Sequence, residues 1–65
     1  MPPFRIEYLC PRQSPYWQAL TEGLFFKTPV LFERFEDAQA NCNGLVWQYH
    51  SARVLDATGQ LCYSV

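Results

Sequence analysis

Apolar and polar positions change period along the chain. From Phe4 to Cys10 they alternate, with Phe4, Ile6, Tyr8 and Cys10 on one side and Arg5, Glu7 and Leu9 on the other. A period of two marks a half-buried strand. Pro11 has no amide to donate and ends it, so Pro11-Arg12-Gln13-Ser14-Pro15 reads as a loop. Between Glu33 and His50 the spacing lengthens to that of a helix. Phe35, Ala38, Cys42, Leu45, Val46 and Tyr49 fall within an arc of roughly 100°, the apolar stripe of a helix packed on one side. Alternation returns in Ala52–Asp56 and Gln60–Val65, two strands predicted to form a hairpin through Ala57-Thr58-Gly59. Gly59 supplies the positive φ of such a turn, and Asp56 can accept bonds from amides within it. On the last strand Leu61, Tyr63 and Val65 are expected to face the helix, leaving Gln60, Cys62 and Ser64 outward.

Two boundaries stay open. In Pro15–Gly23, Ser14 is a possible N-cap, Pro15 a first helical residue and Gly23 a stop, which describes two turns of helix. Tyr16 and Trp17 suit a strand instead, with Thr21-Glu22-Gly23 turning into Leu24-Phe25-Phe26. The next stretch, Leu24–Phe32, is rich in apolar residues and divided by Pro29. It is expected to be irregular and partly extended, with Phe25, Phe26, Val30 and Phe32 against the core. The second open boundary is the end of the helix. The inward periodicity persists to Tyr49, whereas Asn43-Gly44 offers a C-cap with strand starting at Leu45.

At its start the helix has Arg34 as the expected N-cap, a side chain that cannot accept a bond from the free amides. Glu33, Glu36 and Asp37 offset this by interacting with the positive end of the helix dipole, which is a sufficient structural role for them. On the face opposite the core stripe lie Ala40, Gly44 and Trp47, spaced i, i+4, i+7. A large aromatic there sits beside two residues small enough for another surface to come close. Trp is enriched at binding hot spots, so these three residues are the candidate partner-binding site.

Composition narrows the function. Sixty-five residues make one domain, 1–65, near the lower size limit for folding without staples. Two Trp, four Tyr and five Phe mean that rings supply much of the core, and a domain this small tends to leave some exposed. Five basic residues against six acidic give a net charge of −1, which provides no basic field for nucleic acid or anionic lipid. The opening MPPFRIEY does not resemble a signal peptide and no apolar run approaches bilayer length, so a cytoplasmic protein is expected, without a membrane partner. Cys10, Cys42 and Cys62, odd in number and widely spaced, are expected to be reduced, with Cys62 the one within reach of solvent.

Catalytic chemistry finds few footholds. The one histidine, His50, follows Cys42 by about two helical turns, or roughly 12 Å, so the two cannot pair directly on one helix. His50 is expected instead to interact with the last helical carbonyls. Cys10, Cys42, Cys62 and His50 match the ligand number of a structural zinc site but lack its knuckle spacing. The three glycines are isolated, so there is no phosphate-cradling loop. No catalytic, metal or cofactor residue is therefore assigned, and the expectation is not an enzyme. The alternative is a single-stranded nucleic-acid-binding module, in which Tyr8, Trp17 or Tyr63 stack on bases beside Arg5 and Arg53.

Arg5-Ile6-Glu7-Tyr8, Trp17, Phe35-Glu36-Asp37-Ala38 and Ala52-Arg53-Val54-Leu55-Asp56 followed by Gly59 occur in a recognisable order. The chain resembles short uncharacterised bacterial and phage proteins with a strand, a Trp-bearing second strand, a helix and a closing R-V-x-D-x-x-G hairpin. It departs from them at Arg34, where a Ser or Thr cap is usual, and in the length of Gly23–Phe32. The resemblance implies an α+β fold in β-β-α-β-β order, the helix packed across one face of a small antiparallel sheet, and favours strand over helix in Pro15–Gly23. The expected function is that of a small non-enzymatic accessory protein acting through a protein partner or self-association as a homodimer.

Overall fold

Ile6 and Val54 are Cα partners on neighbouring antiparallel strands, and both are fully buried. They mark the centre of a computed structural model that describes residues 2–65. Its elements are β1 (Phe4–Leu9), β2 (Gln18–Ala19), β3 (Thr21–Glu22), β4 (Thr28–Pro29), β5 (Leu31–Phe32), α1 (Phe35–Leu45), β6 (Ser51–Leu55) and β7 (Leu61–Ser64). The fold is α+β, with one helix and an antiparallel sheet. Pro15–Gly23 forms no helix: only Gln18–Ala19 and Thr21–Glu22 are strand, Pro15 and Tyr16 bend, and Trp17 lies just before β2 rather than on it.

The main sheet runs β2-β1-β6-β7, and β5 also pairs with β1. On β1 one long side is taken by β6, from Arg5↔Leu55 to Leu9↔Ser51. Its other side is shared: β2 pairs with Glu7 and Tyr8, and β5 with Phe4 and Arg5. The chain therefore leaves β1 after Leu20, whose amide donates to the Ile6 carbonyl, and returns at Val30, whose amide donates to the Leu20 carbonyl. Between these points β3 and β4 pair only with each other. Five strands, not the two of the expected β-β-α-β-β order, therefore precede the helix, because the connection between β2 and β5 forms a separate two-stranded arm.

Alternation on β1 and β6 places Phe4, Ile6, Ala52 and Val54 beneath the helix, where Ala38 and Cys42 complete the buried cluster. Leu20, Phe32, Phe35, Leu45, Val46 and Tyr63 pack around it. Ile6 and Val54, both fully buried, each contribute about 1.5–3 kcal/mol. The Phe35 ring stands edge-on to Phe4 at 5.8 Å and to Tyr63 at 6.2 Å, closing the helix start over the sheet.

The helix is shorter than its apolar period. It ends at Leu45, not near Tyr49, and Gly44 is not the expected left-handed cap, since its φ is not positive. Beyond Gly44 the bonding is mixed, with the Trp47 and Gln48 amides donating three residues back to Gly44 and Leu45 and the Tyr49 amide four residues back to Leu45. Asn43 and Gly44 are weak helix formers, and the His50 amide is drawn to the Leu9 carbonyl, which commits the chain to β6. Val46 still packs on the core from this turn, and Tyr49 stacks on Tyr8 with ring centres 4.2 Å apart. No strand starts at Leu45, as the alternative reading had it; β6 begins at Ser51, one residue before the predicted Ala52.

On β7 only Tyr63 meets the helix, its hydroxyl donating to Asn43 Oδ1 at 2.6 Å. Leu61 and Val65 are exposed, against expectation. A register shift between Val54 and Leu55 breaks the alternation that assigned Leu61 to the same side as Tyr63.

Candidate functional site

The arm carries the largest concentration of exposed apolar surface. Its strands pair as Thr21↔Pro29 and Glu22↔Thr28, and the tip is the five-residue loop Gly23-Leu24-Phe25-Phe26-Lys27. Leu24 is 92% exposed, Phe25 91% and Phe26 86%, where a core position had been expected for both phenylalanines. The reason is topological: β2 and β5 occupy the same side of β1, so the chain joining them is carried off the sheet before it can fold over the core. Val30 and Phe32, nearer the base, are half-buried, and Phe32 packs against the core cluster as anticipated.

The tip is a built turn. Gly23 has φ +111°, and a Cβ there would lie 2.2 Å from the Phe26 carbonyl oxygen. Only glycine fits that backbone without movement. The Thr28 hydroxyl donates to the Glu22 carbonyl at 3.5 Å across the mouth of the loop. Glu22 and Lys27 flank the three apolar residues, and among the described residues neither engages in an ion pair.

Ala40, Gly44 and Trp47 are all exposed. Trp47 is 90% exposed, and a Cβ on Gly44 would meet nothing within 4 Å. Ala40 and Gly44 lie on α1, whereas Trp47 belongs to the turn that follows, so the helical spacing that united the three is interrupted before its last member.

The residues suited to nucleic-acid stacking are engaged within the fold. Arg53 covers one face of Trp17, 4.1 Å from the ring centre, and donates to Glu7 Oε1. Tyr8 stacks on Tyr49, and Tyr63 is bonded to Asn43 beside Phe35.

His50 lies five residues past the helix end and does not cap it; Nδ1 is 2.9 Å from Ser51 Oγ. Cys42 is buried and burial pushes its thiol pKa up, Cys10 is half-buried, and Cys62 is exposed as expected. Asp56 is buried at the β6–β7 turn and accepts from the Thr58 hydroxyl at 2.6 Å, the Thr58 amide at 2.9 Å and the Gln60 amide at 3.0 Å. The Thr58 hydroxyl and then the Gln60 amide hold its pKa below the ordinary carboxylate value. Among the described residues no three His, Cys, Asp or Glu side chains gather as metal ligands, no pocket indents the surface, and no helix is long and apolar enough to cross a membrane.

Comparison with protein-family models, with curated proteins and with solved structures finds no match to this chain.

Proposed function

We propose that this chain is a small, non-enzymatic, cytoplasmic protein-binding module that docks through the tip of its β-arm. The observation that carries this reading is the run of three large apolar side chains, Leu24, Phe25 and Phe26, each at least 86% exposed at the end of a hairpin whose turn demands glycine at position 23. Exposed Phe and Leu side chains lose free energy in water, and burying each against a partner contributes about 1.5–3 kcal/mol. A glycine-dependent turn lowers the entropy cost of presenting them, because the backbone is ordered before contact. Ala40, Gly44 and Trp47 form a second contact in this reading, supported by the nearly complete exposure of Trp47. Resemblance to short bacterial and phage proteins supports an accessory role, in which a small protein acts by covering a surface of another.

The test compares tagged wild-type chain with the Phe25→Asp/Phe26→Asp and Trp47→Ala variants as bait in extract of the native host. A protein retained by wild type, lost with the arm variant and bound again when both proteins are purified carries the reading. Equal retention by wild type and arm variant assigns binding to another surface and sinks the arm as the contact.

A further inference from the structure

Three properties of the chain bear on what covers the arm tip. The first is area. The two Phe rings expose on the order of 300–400 Å² and Leu24 brings the total toward roughly 500 Å² per chain. If two copies bury these tips against each other, about 1,000 Å² is removed from water, the lower limit of a specific protein interface.

The second is excess surface. A compact 7.6 kDa chain is expected to expose roughly 4,300 Å². This chain exposes 4733 Å², about a tenth more, and the tip side chains are among its most exposed apolar residues. Its fully buried apolar side chains are few and small, and its three cysteines are unlinked. Domains of this size commonly reach adequate stability by association.

The third is charge. Glu22 ends β3 and Lys27 immediately precedes β4, so one acid and one base flank the apolar tip on opposite strands of the arm. A two-fold axis through paired tips and perpendicular to the plane of the arm brings each Glu22 toward the Lys27 of the other copy, whereas an axis lying in that plane would set like charges together. The surface is then self-complementary, with an apolar centre and a polar rim of matched sign.

We infer that the occupant of the arm tip is a second copy of this chain, joined tip to tip about a two-fold axis with Leu24, Phe25 and Phe26 at the centre and Glu22 facing Lys27 at the rim. This rests on the arm being the contact surface and names what covers it. The contact is closed, because both copies use the same patch, and it therefore stops at two chains.

The experiment is sedimentation equilibrium of the purified full chain over a concentration series to several hundred micromolar, with circular dichroism as the control for fold. The expected result is a monomer–dimer equilibrium that becomes purely monomeric in Phe25→Asp/Phe26→Asp with an unchanged far-ultraviolet spectrum. Rim reversals give the specific readout. Glu22→Lys and Lys27→Glu singly should each weaken the dimer about three- to tenfold, since each places like charges across the axis, and the double reversal Glu22→Lys/Lys27→Glu should restore wild-type association. Should the circular dichroism spectrum of Phe25→Asp/Phe26→Asp change, Phe25→Ser/Phe26→Ser supplies the comparison. A wild-type chain that stays monomeric overturns the second copy while leaving arm-dependent capture of another protein intact. A dimer indifferent to the arm variants removes both the second-copy contact and the arm's own case. Growth beyond two chains, single reversals without effect, or binding of the monomer to phosphatidylcholine vesicles through Phe25 and Phe26 each overturns the tip-to-tip contact.

Discussion

The Arg53 guanidinium lies 4.1 Å from the centre of the Trp17 ring and ties the residue preceding β2 to β6, two places from β2 in the sheet. Glu7, on the strand between them, is the Cα partner of Arg53 and accepts bonds from its Nε at 2.9 Å and from a terminal nitrogen at 2.5 Å. Both charged side chains are mostly shielded from water, so the ion pair is stronger than an exposed one. Arg53→Ala is expected to cost about 1–2 kcal/mol, because it removes the bonds to Glu7 and the cation–π contact together. Arg53→Lys should recover less than half, since an ammonium offers no planar fork for carboxylate and ring at once. Urea unfolding in a Trp47→Phe background checks this, with Trp17 emission shifting to the red in Arg53→Ala.

Asp56 gives the fold an acid-sensitive clamp. Three donors converge on Oδ1, and its folded pKa lies below the unfolded value of about 3.9. A group with a depressed folded pKa contributes stability that is present above the unfolded pKa and lost as pH falls through the folded one. Wild-type stability is therefore expected to fall as pH drops below about 4. Asp56→Asn keeps an acceptor oxygen but not the charge, so its stability should be lower at neutral pH and change less across the acid range. Urea midpoints between neutral pH and the acid limb compare the two, and parallel curves would remove Asp56 as the source.

The three thiols separate by burial. Cys62 is expected to react first with a disulfide reagent, Cys10 more slowly, and Cys42 only when the chain unfolds. Cys42→Ser should cost about 1–3 kcal/mol through a buried hydroxyl without a partner, more than Cys42→Ala. Its raised pKa adds a decline of stability as pH rises above the ordinary thiol range of about 8.5, where the unfolded chain releases a proton that the folded one retains. Mass spectrometry after timed labelling distinguishes the three sites.

The elements that were legible from the sequence are those in which local pattern and burial agree. The β1 alternation, the inward helix positions Phe35, Ala38, Cys42 and Leu45, and the turn from Asp56 to Gly59 all follow from one strand or helix read by itself. Val46 and Tyr49 show the limit. They pack inward as their period implies, yet they do so from a turn, because periodicity reports which residues are buried and a tight turn can present them as well as a helix. The arm tip was missed for a different reason. Leu24-Phe25-Phe26 is apolar without alternation and reads as core, and only the sharing of one β1 edge by β2 and β5 ejects it. A usable signal was present in the framing of the run, with Glu22-Gly23 before it and Lys27-Thr28-Pro29 after it, turn and strand-edge residues on both sides of three apolar ones.

Arg34 offers a gain of stability. It occupies the N-cap with extended φ −114° and ψ 133°, the conformation a capping residue needs, but makes no side-chain cap bond. Arg34→Ser or Arg34→Asp should place an acceptor near the free amides of the first turn and add about 1 kcal/mol, raising Tm by roughly 4–8 °C. The lost contact to Glu36, 3.8 Å between well-exposed groups, offsets little of this. Calorimetry checks it, and a Tm at or below wild type would show that the first turn is satisfied by other means.

Gly23→Ala separates the arm from the sheet that carries it. The new Cβ would stand 2.2 Å from the Phe26 carbonyl oxygen, at a φ that other residues rarely adopt, so the tip must open. β3 and β4 pair only with each other over two residues apiece, and the nearest main-sheet bond is the Leu20 amide to Ile6. Little therefore couples a disturbed tip to β1 and β6, and the damage should stay local. Amide hydrogen exchange is expected to show loss of protection at Glu22 and Thr28 with β1, β6 and α1 unchanged, and a thermal transition within a few degrees of wild type. Loss of protection throughout β1 would instead mean that the arm is part of the cooperative core.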